Sequence, residues 1–179
     1  MAEIVSDVGP GNLTVAEVAS RVGVSAPAVR QRFGSKRDLL IAFATRSADA
    51  ATGAFDAAAA QATDPLDALA RGLGACGSFA DRAEMAHHLA LLHLDLTDPV
   101  LSELASRHSR ALRAAIWTQI ATAVERGQLA AGCTIDDLAD SVYTTFNGAL
   151  LTWAIDGDGS SGDWLAERLR RTLEPHRAR

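Results

Sequence analysis

The sequence has few of the residues with which small proteins form disulfides or structural metal sites. It contains two cysteines, and neither Cys76 nor Cys133 lies in a CxxC pair or beside a histidine at zinc-ligand spacing. This excludes a disulfide scaffold and a zinc finger, and we expect neither a metal nor a cofactor. At this length a compact chain buries roughly 70% of its unfolded surface, which is enough for a stable core.

Long hydrophobic runs and aromatic residues are also scarce. No segment approaches the ~20 uncharged apolar residues that span a bilayer, and the start MAEIVSDVGP lacks the basic and apolar parts of a secretory signal. We therefore expect a cytoplasmic protein with no membrane partner. Aromatic residues make up 5% of the chain, alanine is abundant and β-branched clusters are few, which favours helix over strand. The predicted fold class is all-α.

The net charge of −5 conceals a local excess of positive charge. Residues 21–46 carry six basic side chains against one acidic side chain, a net of +5. A compact basic patch on an otherwise acidic protein is typical of a small nucleic-acid-binding module, although a solvated helix face could carry the same charge.

Capping signals divide this basic region into short helices. The capping box Thr14-Val15-Ala16-Glu17 begins a helix that we expect to end near Gly23. Ser25 is an N-cap for a second helix, with Pro27 in its first turn, and Ser35 begins a third. A short helix, a tight turn and a second helix with exposed basic residues are typical of helix-turn-helix DNA recognition.

The remainder of the chain is also predicted to be helical. Asp64-Pro65 and Asp98-Pro99 each place an N-cap acid before a proline at the first helical position. In the segment after Thr134, two neighbouring rows of apolar residues recur at steps of three and four, which indicates a helix covered on two sides. The predicted helices span residues 65–80, 82–95, 99–126, 134–156 and 163–174.

The run LTVAEVASRVGVSAPAVRQRFGSKRDLL, residues 13–40, resembles the DNA-binding region of the TetR family of bacterial transcriptional regulators. The segment FNGALLTWAIDG, residues 146–157, is similar to the penultimate helix of many members. The resemblance implies a helix-turn-helix DNA-binding domain over residues 1–46 and a larger helical ligand-binding and dimerisation domain over residues 47–179. The positions that match the pattern are Thr14, Val18, Ala19, Val22, Gly23, Val24, Ser25, Phe33, Ser35, Lys36, Leu39 and Leu40.

Two features depart from the family pattern. Only about a dozen residues, ending in Gly9-Pro10-Gly11, precede the motif, so we expect the first helix to be shortened or incomplete. Arg30 stands where the family commonly has a tyrosine that touches a phosphate. An arginine can make that contact as a charged fork, so we expect a stronger salt dependence of DNA binding.

The predicted DNA contacts follow from helix geometry. Helix N-termini present free amides and a positive dipole end, which suit phosphates, and the start of the second helix should enter the major groove. Any of these side chains could instead be a solvated surface residue, most readily Arg32. The candidates are Thr14, Ser25, Arg30 and Lys36 for phosphates, Ala26, Pro27, Ala28 and Gln31 for base edges, and Arg32 beside them.

The resemblance further implies a homodimer that binds an inverted repeat in double-stranded DNA and is released by a small molecule. Met85, His88 and Trp117 are the candidate ligand contacts, although such histidines are more often merely hydrogen-bonded or exposed. The two last helices are expected to pair with those of a second copy, because the longer one has a double apolar face. The predicted interface residues are Val142, Phe146, Leu150, Trp153, Leu165 and Leu169.

Two other classes of function compete with this interpretation. Glu84-Met85-Ala86-His87 has the Glu-x-x-His spacing of di-iron helical bundles, but those sites need two such pairs. Because no nucleophile pattern or Gly-rich phosphate loop is present either, we do not expect an enzyme. The second alternative is a helical dimeric binding or scaffold protein that has lost sequence-specific DNA binding, and the abbreviated N-terminus favours it.

Overall fold

The structure is a computed structural model that describes residues 2–50 and 52–178. All regular secondary structure in these ranges is helical, which confirms the predicted all-α class. No helix in the described part of the chain is long and apolar enough to cross a membrane. The helices are α1 (Ala2–Asn12), α2 (Val15–Val22), α3 (Ala26–Phe33), α4 (Lys36–Asp49), α5 (Gly53–Ala59), α6 (Pro65–Cys76), α7 (Arg82–Thr97), α8 (Pro99–Glu125), α9 (Ile135–Asp156) and α10 (Ser161–Leu173), followed by a 3₁₀ turn at Glu174–His176.

Most predicted helices lie within a few residues of their expected bounds, and the differences have local causes. Helix α6 ends at Cys76 rather than near residue 80. Gly77 follows as its C-cap, and the amide of Gly77 donates to the carbonyl of Leu73 at 2.9 Å. Helix α5 was not predicted, because its alanine-rich sequence has little periodicity and Thr52 makes no side-chain capping hydrogen bond.

Helix α1 has 11 residues and is kinked at Gly9. The backbone of Gly9 has φ 72° and ψ 158°, a conformation that a residue with a Cβ atom rarely adopts. A Cβ atom at Gly9 would also lie 2.6 Å from Cδ2 of His87 on α7. The first helix is therefore short, as expected, and it bends where α7 packs closely against it.

The chain packs as two compact units, and we describe each by itself. The head unit contains, within the described ranges, residues 2–50 together with 82–108. Its core consists of buried side chains from α1 to α4, with Leu91 and Leu94 of α7 packed against them. The sequence prediction assigned residues 82–108 to the domain 47–179, because periodicity does not reveal which core a helix face meets. The buried members are Ile4, Leu13, Val18, Ala19, Val29, Leu39 and Leu40.

The body unit contains residues 52–81 and 109–178 within the described ranges. Here α5 packs on α6, and α10 packs on both α9 and α6. The six predicted interface residues all lie in this core, with exposed fractions between 0% and 6%, so the protomer's own packing already covers them. The expectation for them is corrected accordingly: these side chains of α9 and α10 are buried within the protomer. They are Val142, Phe146, Leu150, Trp153, Leu165 and Leu169.

The contact between α5 and α6 depends on the absence of a side chain at Gly72. A Cβ atom there would lie 2.5 Å from Cδ2 of Phe55, whose ring is 1% exposed. We predict that Gly72→Ala lowers the free energy of unfolding by about 1–3 kcal/mol through overpacking, measured by urea denaturation.

The matched control for that variant lies in the same helix. A Cβ atom at Gly74 would meet nothing within 4 Å. Gly74→Ala should therefore stabilise the protein by up to ~1 kcal/mol, because alanine is the better helix former. Equal destabilisation by both variants would contradict the proposed packing of Phe55 on Gly72.

Candidate nucleic-acid interface

The helix-turn-helix is built by three local capping interactions. The hydroxyl of Thr14 accepts a hydrogen bond from the amide of Glu17 at 3.0 Å and begins α2. Gly23, in the left-handed region with φ 71° and ψ 29°, ends it. Ser25 then begins α3 by accepting from the amide of Ala28 at 3.3 Å. The turn between the two helices is therefore fixed by residues that the sequence already identifies.

Helix α3 buries one side and exposes the other. Val29 is buried in the head core, and Phe33 packs against the same core as a half-buried residue. Among the predicted base contacts, Ala26 is half-buried and the other three are exposed. The outward-facing residues of the helix are Pro27, Ala28, Arg30, Gln31 and Arg32. The structure thus brings the predicted DNA contacts of α3 onto one accessible face.

The basic patch is smaller in the structure than its composition suggests. Arg21 pairs with Asp7 at 2.6 Å and with Glu17 at 2.8 Å. Arg37 pairs with Asp98 at 2.6 Å, and these carboxylate partners raise the pKa of both arginines. The net charge of residues 21–46 could not show this, because all three acids lie outside that segment.

The two arginines of α3, Arg30 and Arg32, form no ion pair with a carboxylate in the part of the chain that the structure describes. The guanidinium of Arg32 lies 5.5 Å from the ring centroid of Phe33, a distance typical of cation–π contacts. No ion pair engages Arg30 within the residues that the structure describes, and its side chain is exposed. Arg30 is therefore accessible to an external anion.

Lys36 has a structural contact that the sequence did not predict. Its Nζ donates to the carbonyl oxygen of Gly11 at 2.6 Å, so it joins the first residue of α4 to the end of α1. The preceding Ser35 forms a reciprocal capping box with Asp38, and these hydrogen bonds lower the pKa of the Asp38 carboxyl. The N-terminus of α4 is thus capped locally and tied to the end of α1 by the side chain of Lys36.

Two protein-family models match this chain. The family model for bacterial regulatory proteins of the tetR family matches residues 2–43, and the model for the C-terminal domain of BetI-type transcriptional repressors matches residues 75–177. The chain belongs to the TetR family. It is a DNA-binding transcriptional regulator and not an enzyme, so the resemblance noted in residues 13–40 is confirmed.

Solved structures share the TetR fold at low sequence identity. A transcriptional regulator from Saccharomonospora viridis in complex with choline has a TM-score of 0.81 and 20% identity, covering 97% of this chain and 91% of that one. A regulator from Pseudomonas aeruginosa PAO1 has a TM-score of 0.73 and 12% identity, with 97% and 85% covered. A TetR-family regulator from Rhodococcus sp. has a TM-score of 0.71 and 18% identity, with 99% and 94% covered. No curated protein sequence matches the chain.

The three candidate ligand contacts of this TetR-family chain belong to different units. Met85 is 3% exposed and His88 is exposed, both on α7 within the head unit. Trp117 lies on α8 in the body unit, is 44% exposed and donates from Nε1 to Oδ1 of Asp136 at 2.7 Å. Within the body unit, Trp117 thus forms a pair with the carboxylate of Asp136. Only Trp117 of this pair is identified from the sequence.

The body unit also contains a groove that sequence reasoning missed. It has a volume of about 320 Å³ and lies between α6 and α10, with Leu66 and Leu169 among its apolar walls. Asp64, which also lines the groove, accepts from the amides of Leu66 and Asp67 at 2.9 Å, and the amide of Asp67 is the largest cause of its lowered pKa. The charged groups of this groove are thus partly occupied by contacts within the protein.

Proposed function

We propose that the protein is a repressor that binds an inverted-repeat operator as a homodimer and releases it when a small molecule binds. The observation that carries this proposal is the exposed face of α3, where Arg30, Gln31 and Arg32 stand beside small residues while Val29 anchors the helix. A scaffold protein that had lost DNA binding would not need this accessible polar face.

The chemistry of the proposed DNA contacts separates those that read bases from those that bind phosphates. Gln31 can form paired hydrogen bonds with adenine, and the small residues Pro27 and Ala28 can meet a thymine methyl group. Arg30 and Arg32 supply positive charge to the phosphates of the DNA backbone. Such contacts fix the position of the protein on the DNA and carry no sequence information. The helix-start residues Thr14, Ser25 and Lys36 complete the proposed phosphate contacts, and Ala26 lies at the first position of the reading helix.

A homodimer is proposed because one recognition helix contacts too few base pairs to specify a site. Two-fold related helices would read half-sites about 34–36 Å apart, or somewhat more. The face of α9 that remains exposed is uncharged over two turns and includes Leu151 and Ile155, which are 44% and 63% exposed. Stable homodimer interfaces are rich in such apolar surface, so we propose this face of α9 as the pairing surface.

We propose a small organic cation of the choline class as the effector. The support is the BetI-type match over residues 75–177 and the choline complex of the S. viridis regulator. Trp117 and Asp136 offer an aromatic face beside a carboxylate, which is the chemistry that attracts quaternary ammonium groups. Met85 and His88 are the other candidate contacts.

For operator reading, we predict that Gln31→Ala costs about 1–3 kcal/mol at one symmetric pair of base positions and leaves non-specific binding nearly unchanged. Arg30→Gln, which removes one charge from the same helix, should weaken binding to every sequence and lower the log–log salt slope by roughly one unit. Electrophoretic mobility shifts with operator variants at several salt concentrations measure both. The opposite pattern, or weak binding indifferent to sequence in the wild type, would contradict the proposed reading of DNA.

For assembly, we predict that Leu151→Glu converts the dimer to monomers at micromolar concentration, because it places a charge in the apolar interface. Leu96→Glu is the matched control, since Leu96 is 74% exposed on α7, outside the proposed surface. Light scattering on both variants measures the mass. A monomeric wild type would contradict the proposed homodimer, and dissociation of the Leu96 variant alone would place the pairing surface elsewhere.

For the effector, we predict that choline binds and that Trp117→Leu weakens it by roughly fivefold, within the range of cation–π contributions. Trp164→Leu is the control, because the guanidinium of Arg168 already covers that indole at 3.4 Å from its centroid. Isothermal titration calorimetry with choline chloride measures the affinities. No heat from the wild type would exclude this effector class, and equal affinities of wild type and Trp117→Leu would exclude Trp117 as a contact.

A further inference from the structure

Two ion pairs connect α4 to the start of α8 inside the head unit. In the first turn of α4, Arg37 forms a fork with Asp98, with Nε to Oδ2 at 2.6 Å and Nη2 to Oδ1 at 3.0 Å. At the last residue of α4, Asp49 accepts from Nη2 of Arg107 at 2.5 Å. Both pairs join residues about sixty positions apart in the sequence, so they are tertiary contacts and not helix-surface pairs.

The spacing of these pairs restrains the direction of α4 as well as its position. Arg37 and Asp49 are twelve residues apart, which is about 18 Å along a helix axis. Asp98 and Arg107 are nine residues apart, about 13.5 Å on the same measure. A single attachment would leave α4 able to pivot, whereas two attachments near its ends oppose a change of tilt.

Asp98 also links this restraint to the first turn of α8. Its Oδ1 accepts from the amides of Val100 at 2.9 Å and Leu101 at 3.4 Å, as an N-cap does. The Arg37 guanidinium is the largest cause of the lowered pKa of the Asp98 carboxyl. One carboxylate therefore holds the beginnings of two helices, and a shift of the first turn of α8 would move Arg37 with it.

The residue next to Arg37 belongs to the proposed DNA surface. Lys36 begins α4 and contacts the end of α1 through Gly11. We propose that Arg37–Asp98 and Asp49–Arg107 are positioning contacts that set the tilt of α4 and thereby the placement of the DNA-facing end of the head unit. Operator affinity then depends on side chains that touch no DNA. The functional part of this inference rests on the proposed function.

The first experiment separates positioning from direct contact, because Arg37 could instead bind a phosphate. If the pair positions α4, Arg37→Gln and Asp98→Asn should each weaken operator binding by about fivefold, the lower end of typical coupling between sites. The double variant should be no weaker than either single variant, and the salt slope should be unchanged. Asparagine keeps the N-cap acceptor of α8, so Asp98→Asn removes only the charge.

A direct phosphate contact by Arg37 would give different results for the two variants. If Arg37 binds a phosphate, Arg37→Gln lowers the salt slope by roughly one unit, while Asp98→Asn frees the guanidinium and leaves affinity unchanged or improved. Either result would overturn the proposal. Arg71→Gln is the matched control, since it breaks an exposed ion pair with Asp67 inside α6 and should leave affinity unchanged. Melting temperatures should change little in all variants, because surface pairs contribute little to stability.

The second pair permits a charge exchange. Asp49→Arg and Arg107→Asp should each weaken operator binding, and the protein carrying both should recover most of the wild-type affinity, because the pair is restored with its polarity reversed. The Asp49 and Arg107 side chains are 59% and 45% exposed, so neither exchange buries a charge. Failure of the combined variant to recover would remove this pair from the proposal.

Hydrogen exchange on the protein without DNA provides a readout that does not depend on operator binding. Amides of residues 36–49 should exchange several times faster in Arg37→Gln and Asp98→Asn than in the wild type, while those of residues 135–156 should not change. If this holds and no operator is bound, the proposed function is wrong and the restraint on α4 stands. Unchanged exchange in α4 would overturn the restraint itself.

Discussion

The small core of the head unit is the constraint on which the rest of this protein depends. Helices α2 and α3 have eight residues each, a length at which an isolated helix is not stable in water. They persist because Val18, Ala19 and Val29 are buried together with side chains of α1 and α4. Leu91 and Leu94 of α7 pack against that core. The reading helix is therefore supported by a helix that the sequence places well outside the DNA-binding motif.

The same packing decides which charges are available for function. Arg21 and Arg37 are held by carboxylates, and Lys36 is held by a backbone carbonyl, so these cations stabilise the arrangement of helices. Arg30, which has no such partner among the described residues, remains free for an anion. Positive charge in this region thus has two uses. Charge at the ends of α2 and α4 assembles the head, and charge on α3 faces outward.

In the body unit, the apolar surface of α9 is divided between the protomer and the solvent. Most side chains of its two apolar rows, including Phe146 and Trp153, are buried, and Tyr143 is half-buried. What remains outside is a narrower uncharged strip with Leu151 and Ile155. The amount of apolar sequence on a helix therefore indicates that it will be covered, but not whether its own chain or a second copy covers it.

The sequence by itself determined the all-α class, the positions of most helices and the helix-turn-helix motif. These features follow from interactions between residues three or four apart, such as the Thr14 and Ser35 caps, and from the left-handed glycine at Gly23. Tertiary structure alone decided the burial of Phe146 and Trp153 within the protomer, the addition of residues 82–108 to the head unit and the pairing of Arg37 with Asp98. Those outcomes depend on partners tens of residues away, because a helix pattern specifies which face is apolar or charged and not what that face will meet.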